Sequence, residues 1–177
     1  MATTFKPFGL KPAYHPSGLD RATPFVGTNS YTPGSGDFTA PYSLSSGQAF
    51  YQYQPVSVTS SGQLTIAASA AASGTVYGVF DGVEFTDSQG RRSVAKWASK
   101  TTLDASTQIL FWIWTDPEMV YEAQVNGSAT TASIGQQYNF ETATGYTPAD
   151  GVSIGNGGAG FSVCALNDTA IGSGSQG

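Results

Sequence analysis

From about Phe50 onward, apolar residues fall in short runs separated by turn-forming residues. The runs are Ala49–Val58, Leu64–Ala68, Thr75–Phe85, Ser93–Trp97, Ile109–Trp114, Met119–Val125, Gln137–Phe140, Val152–Ile154 and Phe161–Leu166. Between them lie Ser60-Ser61-Gly62, Asp87-Ser88-Gln89-Gly90, Asp116-Pro117, Asn126-Gly127 and Asn156-Gly157-Gly158, where glycine, proline and Asn/Asp favour tight reversals. No window shows a sustained helical period; Ala67–Ala72 holds at most one helical turn before Ser73-Gly74 stops it. Many short strands at this spacing predict an all-β chain: a single barrel or sandwich of short antiparallel strands.

Two runs say more. In Met119–Val125, Met119, Tyr121, Ala123 and Val125 share one face, with Glu122 and Gln124 opposite, as in a half-buried strand. Ile109–Trp114 is apolar on both faces. It is either a central strand covered on both sides or a strand whose outer face meets a partner. Trp112 and Trp114 share one face, opposite Phe111 and Ile113, and are the candidate self-association residues.

Residues 1–47 read differently. Seven of the nine prolines lie within residues 1–55. Proline fixes φ and lacks a backbone donor, which opposes a helix or an interior strand. The same stretch carries Phe5, Phe8, Leu10, Tyr14, Phe25, Tyr31, Phe38 and Tyr42, too many large apolar groups for a flexible linker. The division predicted is an extended N-terminal arm over 1–47 and a β domain over 48–177 with a Gly/Ser-rich tail. The arm's apolar side chains need another surface, and Phe5, Phe8, Leu10, Tyr14 and Phe25 are its candidate contacts.

Charge narrows the function. Only 11 % of residues are charged, against about 25 % in ordinary globular chains. The net charge is −5, and the seven Lys and Arg residues are scattered, which argues against nucleic-acid binding. The arm holds three basic and two acidic residues, the body four and ten. The longest apolar run, Ile109–Trp114, is far too short to cross a membrane. A lone cysteine, Cys164, excludes an internal disulfide and a multi-cysteine metal site, and its alternating surroundings suit core packing. Met1 is followed by no apolar signal region, which predicts synthesis in the cytoplasm.

Candidate chemistry is sparse. Gly155-Asn156-Gly157-Gly158-Ala159-Gly160 matches G-x-G-x-x-G, but a strand-like run follows where the dinucleotide fingerprint needs a helix. Asp81, Glu84 and Asp87 cluster without the spacing of a calcium loop. Asp116, Glu118 and Glu122 suggest no cleft for paired-carboxylate catalysis. His15 sits between Tyr14 and Pro16 in the arm, a poor place for a triad and a reasonable one for packing or hydrogen bonding. Trp97, Trp112 and Trp114 fit a core better than a sugar platform. No catalytic, cofactor or metal residue is expected.

Several of these segments carry a resemblance. Phe8-Gly9-Leu10-Lys11-Pro12, followed by His15 and Gly18, is similar to an F-G-L-x-P-x-x-H opening found in a family of phage structural proteins. Gly78-Val79-Phe80-Asp81-Gly82-Val83-Glu84-Phe85-Thr86-Asp87 resembles that family's G-V-F-x-G-V-x-[FY]-T-D element, and Asp116–Gly127 resembles its D-P-x-x-[VI]-[FY]-E-x-Q-x-[DN]-G signature. The family is that of decoration (cement) proteins on HK97-type capsids of tailed phages. The resemblance implies a non-enzymatic virion protein on the capsid surface that binds major capsid protein and neighbouring copies of itself, as a dimer or trimer. The family continues to a final strand, whereas Ile171–Gly177 is mostly Gly and Ser. The terminus is therefore shortened, or a neighbour supplies that strand. The alternatives are another virion β domain, at a head-fibre base or on the tail, and a carbohydrate- or receptor-binding module.

Overall fold

A computed structural model describes residues 9–18, 21–26, 40–67, 76–125, 131–134, 137–141, 153–155 and 161–162. In chain order these form β1 (Lys11–Tyr14), β2 (Thr23–Phe25), β3 (Ala49–Tyr51), β4 (Pro55–Val58), β5 (Leu64–Ile66), β6 (Gly78–Thr86), β7 (Arg92–Ala95), β8 (Trp97–Ser99), the short helix α1 (Lys100–Asp104) and β9 (Thr107–Trp114). Then come β10 (Val120–Glu122), β11 (Gln124–Val125), a 3-10 turn at Thr131–Ser133, β12 (Gln137–Glu141), β13 (Ser153–Gly155) and β14 (Phe161–Ser162). The chain is all-β, and among the described residues the pairing is antiparallel apart from the parallel β11–β13 ladder and one parallel bridge between Tyr42 and Leu64.

The main sheet runs β2-β9-β6-β4-β5, and β7 pairs with the far end of β6 beyond β4. Its centre is the long β6–β9 ladder, from Val79 opposite Trp114 to Thr86 opposite Thr107. Smaller ladders join β3 to β8, β1 to β10, and β11, β13, β12 and β14 to one another. Among the described residues the main sheet does not close on itself: β2 and β5 are its outermost strands, and residues 41–43 lie along the outer edge of β5 at Leu64.

Alternation along β9 explains the core. Ile109, Phe111 and Ile113 point into the main cluster, where Phe111 meets Phe50 edge-on at 5.4 Å and Phe80 at 6.3 Å. Phe50 and Phe80 stack at 5.4 Å, so three rings from β3, β6 and β9 fill one centre. Trp114 points the other way, into a second cluster with Leu10, Val79 and Met119, and stacks on Tyr53 at 5.9 Å. β9 is paired on both sides, with one face buried and the other covered at Trp114 but only half-buried at Leu110 and at Trp112, which lies opposite Pro24. Gly78 is required at this crossing, since a Cβ there would collide with the Trp114 carbonyl.

The described parts of the predicted runs fall on strands, with three finer breaks, one of them at Ala123, where Met119–Val125 divides into β10 and β11 in different sheets. Ala49–Val58 is split by a turn in which the Gln54 amide donates to the Tyr51 carbonyl at 3.1 Å and Tyr53 takes φ 69°. Ser93–Trp97 is split at Lys96 into β7 and β8. Helix α1 was not expected; Ser99 caps it, its hydroxyl accepting from the Thr102 amide at 3.1 Å. The aromatic arm finds part of its covering surface on its own chain. β1 and β2 add to β10 and β9, and Pro24 occupies an edge strand, where a missing donor is tolerated. The tail, Cys164 and most of the glycine-rich stretch at 155–160 lie outside the described residues.

Because Phe111 holds both neighbouring rings, Phe111→Ala should destabilise the fold by about 3–5 kcal/mol. Denaturant unfolding followed by tryptophan fluorescence measures it.

Candidate functional site

The segment 9–18 is joined to the body at three successive points. Gly9 adopts φ +86° and lies so close to the Tyr53 turn that a Cβ would stand 2.5 Å from the Tyr53 carbonyl oxygen. Next, the Leu10 amide donates to that carbonyl at 2.8 Å, while its side chain, 1 % exposed, enters the second cluster. β1 then pairs with β10, Lys11 opposite Glu122 and Pro12 opposite Tyr121.

At the end of β1, His15 is buried and Gly18 closes a turn by donating to the His15 carbonyl at 3.0 Å. Facing it is the Asp116-Pro117-Glu118 turn between β9 and β10. There Asp116 Oδ1 accepts the Glu118 amide at 2.9 Å, and the Met119 amide donates to the Asp116 carbonyl. Asp116 Oδ2 lies 3.0 Å from His15 Nε2. The Asp116 carboxyl is held below its ordinary range, first by the Glu118 amide and then by the facing imidazole. On its other side, His15 Nδ1 lies 3.1 Å from the Ser17 amide and 2.8 Å from the Ser17 hydroxyl. Donor atoms of His15, Asp116 and Glu118 all lie within 4.8 Å of one another.

The acids of β6 are arranged differently. Asp81 takes Lys96 at 2.7 Å and the Gln52 side-chain amide at 3.1 Å. Glu84 takes Arg92 at 2.7 Å, and Asp87 takes two backbone amides and Arg91. The carboxyls of Glu84 and Asp87 are held below their ordinary range, Glu84 first by the Arg92 side chain, Asp87 first by the Arg91 backbone amide. Each of the three has its own basic partner, and they do not converge on one point.

The candidate contact residues have varied settings. Phe5 and Phe8 lie outside the described residues. Leu10 is enclosed by its own chain, Tyr14 is 62 % exposed, and Phe25 is half-buried, edge-on to Tyr77 at 5.4 Å. Of the self-association pair, Trp114 is 9 % exposed inside the second cluster and Trp112 is half-buried. The most exposed tryptophan is Trp97, at 56 %, stacked on Tyr51 at 6.4 Å, with exposed Val94 close by in sequence on β7. Sequence reasoning missed the meeting of His15 with Asp116, a contact 101 positions apart that no local pattern encodes.

Among the described residues no helix is long and apolar enough to cross a membrane. No protein-family model, curated protein or solved structure matches the chain.

The approach at Gly9 generates a local test. Gly9→Ala combines left-handed strain of about 1–2 kcal/mol with the clash at Tyr53. Hydrogen exchange of the Leu10 amide should accelerate, while amides of the β6–β9 ladder keep their protection.

Proposed function

We propose that the chain is a structural virion protein that binds the outside of a tailed-phage capsid and stabilises it by bridging major capsid subunits. The observation that carries this reading is a juxtaposition. The opening segment through Gly18 and the Asp116–Gly127 segment, both similar to cement-protein motifs, meet through β1–β10 and His15–Asp116. Two of the three segments that resemble one family thus meet across residues 11–15 and 116–122.

Further features support the same reading. Low charge suits contact through hydrogen bonds and apolar area. The edge at β2 can accept a strand from a neighbour, which would extend the sheet toward a barrel or sandwich, whereas the edge of β5 is already met by residues 41–43 through Leu64. Exposed Tyr14, with the aromatics of the remaining arm, supplies apolar contacts to a capsid or a second copy. The role is mechanical, not enzymatic: a protein bound only to the expanded shell stabilises that state by mass action. Interfaces of standard size bury about 1,600 Å², and many copies add up. The protein would be made in the host cytoplasm and act on the virion surface, as a dimer or trimer, with no cofactor.

The test removes residues 2–8, leaving Gly9 and the second cluster in place. The truncated chain should fold and bind expanded capsids at least about tenfold more weakly, a loss of about 1.4 kcal/mol. Cosedimentation with capsids measures it, and undiminished binding would refute the capsid role of the arm. Full-length protein should saturate near one copy per major capsid subunit.

One observation favours a second reading: the exposed Trp97 ring stacked on Tyr51 has the shape of a sugar platform. If the chain is a carbohydrate-binding module, it should retain glycans on an array and lose them on Trp97→Ala. The capsid reading expects no glycan retained.

A further inference from the structure

The His15 junction carries chemistry that capsid binding does not use. The His15 side chain is 4 % exposed, and its Nε2 is sealed from solvent. Asp116 Oδ2 is 3.0 Å away and the imidazole helps hold that carboxyl low, yet Nε2 makes no well-directed hydrogen bond. A buried ring nitrogen without a directed partner is costly, and a ligand aimed at its lone pair removes that cost.

We propose that His15 Nε2, Asp116 and Glu118 bind a divalent first-row transition cation, zinc being the best fit. One imidazole nitrogen and two carboxylate oxygens suit zinc or manganese better than calcium, which takes oxygens alone. Ligands about 2.1 Å from a common tetrahedral ion stand roughly 3.4 Å apart. The three donor atoms already lie within 4.8 Å of one another, so a small turn of the exposed Glu118 side chain closes the set. A fourth position stays open to water or to a neighbouring molecule.

Ser17 supplies the orienting contact. A histidine that binds a metal through one nitrogen donates its other N–H to a fixed partner. With the proton on Nδ1, His15 donates to the Ser17 hydroxyl at 2.8 Å, gives up the bond from the Ser17 amide and leaves the Nε2 lone pair free beside Asp116. With the proton on Nε2, the Ser17 amide donates to Nδ1 instead. The cation selects the first tautomer. It would clip the end of β1 to the β9–β10 turn.

The experiment uses the full chain after chelator treatment, titrated with zinc chloride by calorimetry and by thermal melting. Cobalt(II) serves as an absorbing probe of the same site. One zinc per chain should bind, with the melting temperature rising as zinc is added and a visible cobalt band appearing. Glu118→Gln alters an exposed group, so the metal-free melt should be unchanged while zinc affinity falls at least about tenfold. His15→Gln should abolish the cobalt band. Absence of saturable binding up to millimolar zinc overturns the proposal. So does binding that Glu118→Gln leaves undiminished. Neither readout involves a capsid, so this result stands or falls apart from the decoration role.

Discussion

The structure depends on having to cover both faces of one strand. β9 carries large apolar groups in alternating directions, and a β-strand cannot hide both sets against one layer. One set, Ile109, Phe111 and Ile113, is met by residues of β3, β6 and α1, among others. The other set ends in Trp114, and much of its cover comes from a part of the chain about a hundred positions earlier. Leu10 closes that side, with Tyr53 and Met119 beside it. The N-terminal segment is therefore part of the fold's apolar economy as far as Phe25, which packs against the main cluster.

This accounts for the residues at the crossing points. Where β6 passes the end of β9, only glycine fits at position 78. Where the N-terminal segment approaches the Tyr53 turn, only glycine fits at position 9, for both space and φ. The short distance from Leu10 to His15 then fixes where the imidazole arrives, beside the Asp116 turn.

Much of this was legible in the sequence, for definable reasons. The all-β character followed from turn residues between short apolar runs. The two-sided nature of Ile109–Trp114 followed from composition, and the one-sided face of Met119, Tyr121 and Ala123 from alternation. The split at Tyr53 was not legible, since it depends on a non-glycine residue in the left-handed region, held by hydrogen bonds to distant strands. Nor was the cap at Ser99, which organises a helix too short to show periodicity. The His15 junction was the least legible part. It joins residues far apart in sequence, and histidine in a proline-rich stretch reads as an isolated contact.

The Tyr53 turn links the N-terminal segment directly to the centre of the molecule. Its carbonyl accepts the Leu10 amide, and its own amide donates to the Phe80 carbonyl at 2.7 Å. Tension applied at the N-terminus therefore runs through Leu10 and Tyr53 into β6, the strand at the heart of the main sheet. An anchor ending on an edge strand could be peeled away one bond at a time. Here the load reaches β6 through one hydrogen bond and the buried Leu10 side chain, so this join gives way while the β6–β9 ladder stays paired.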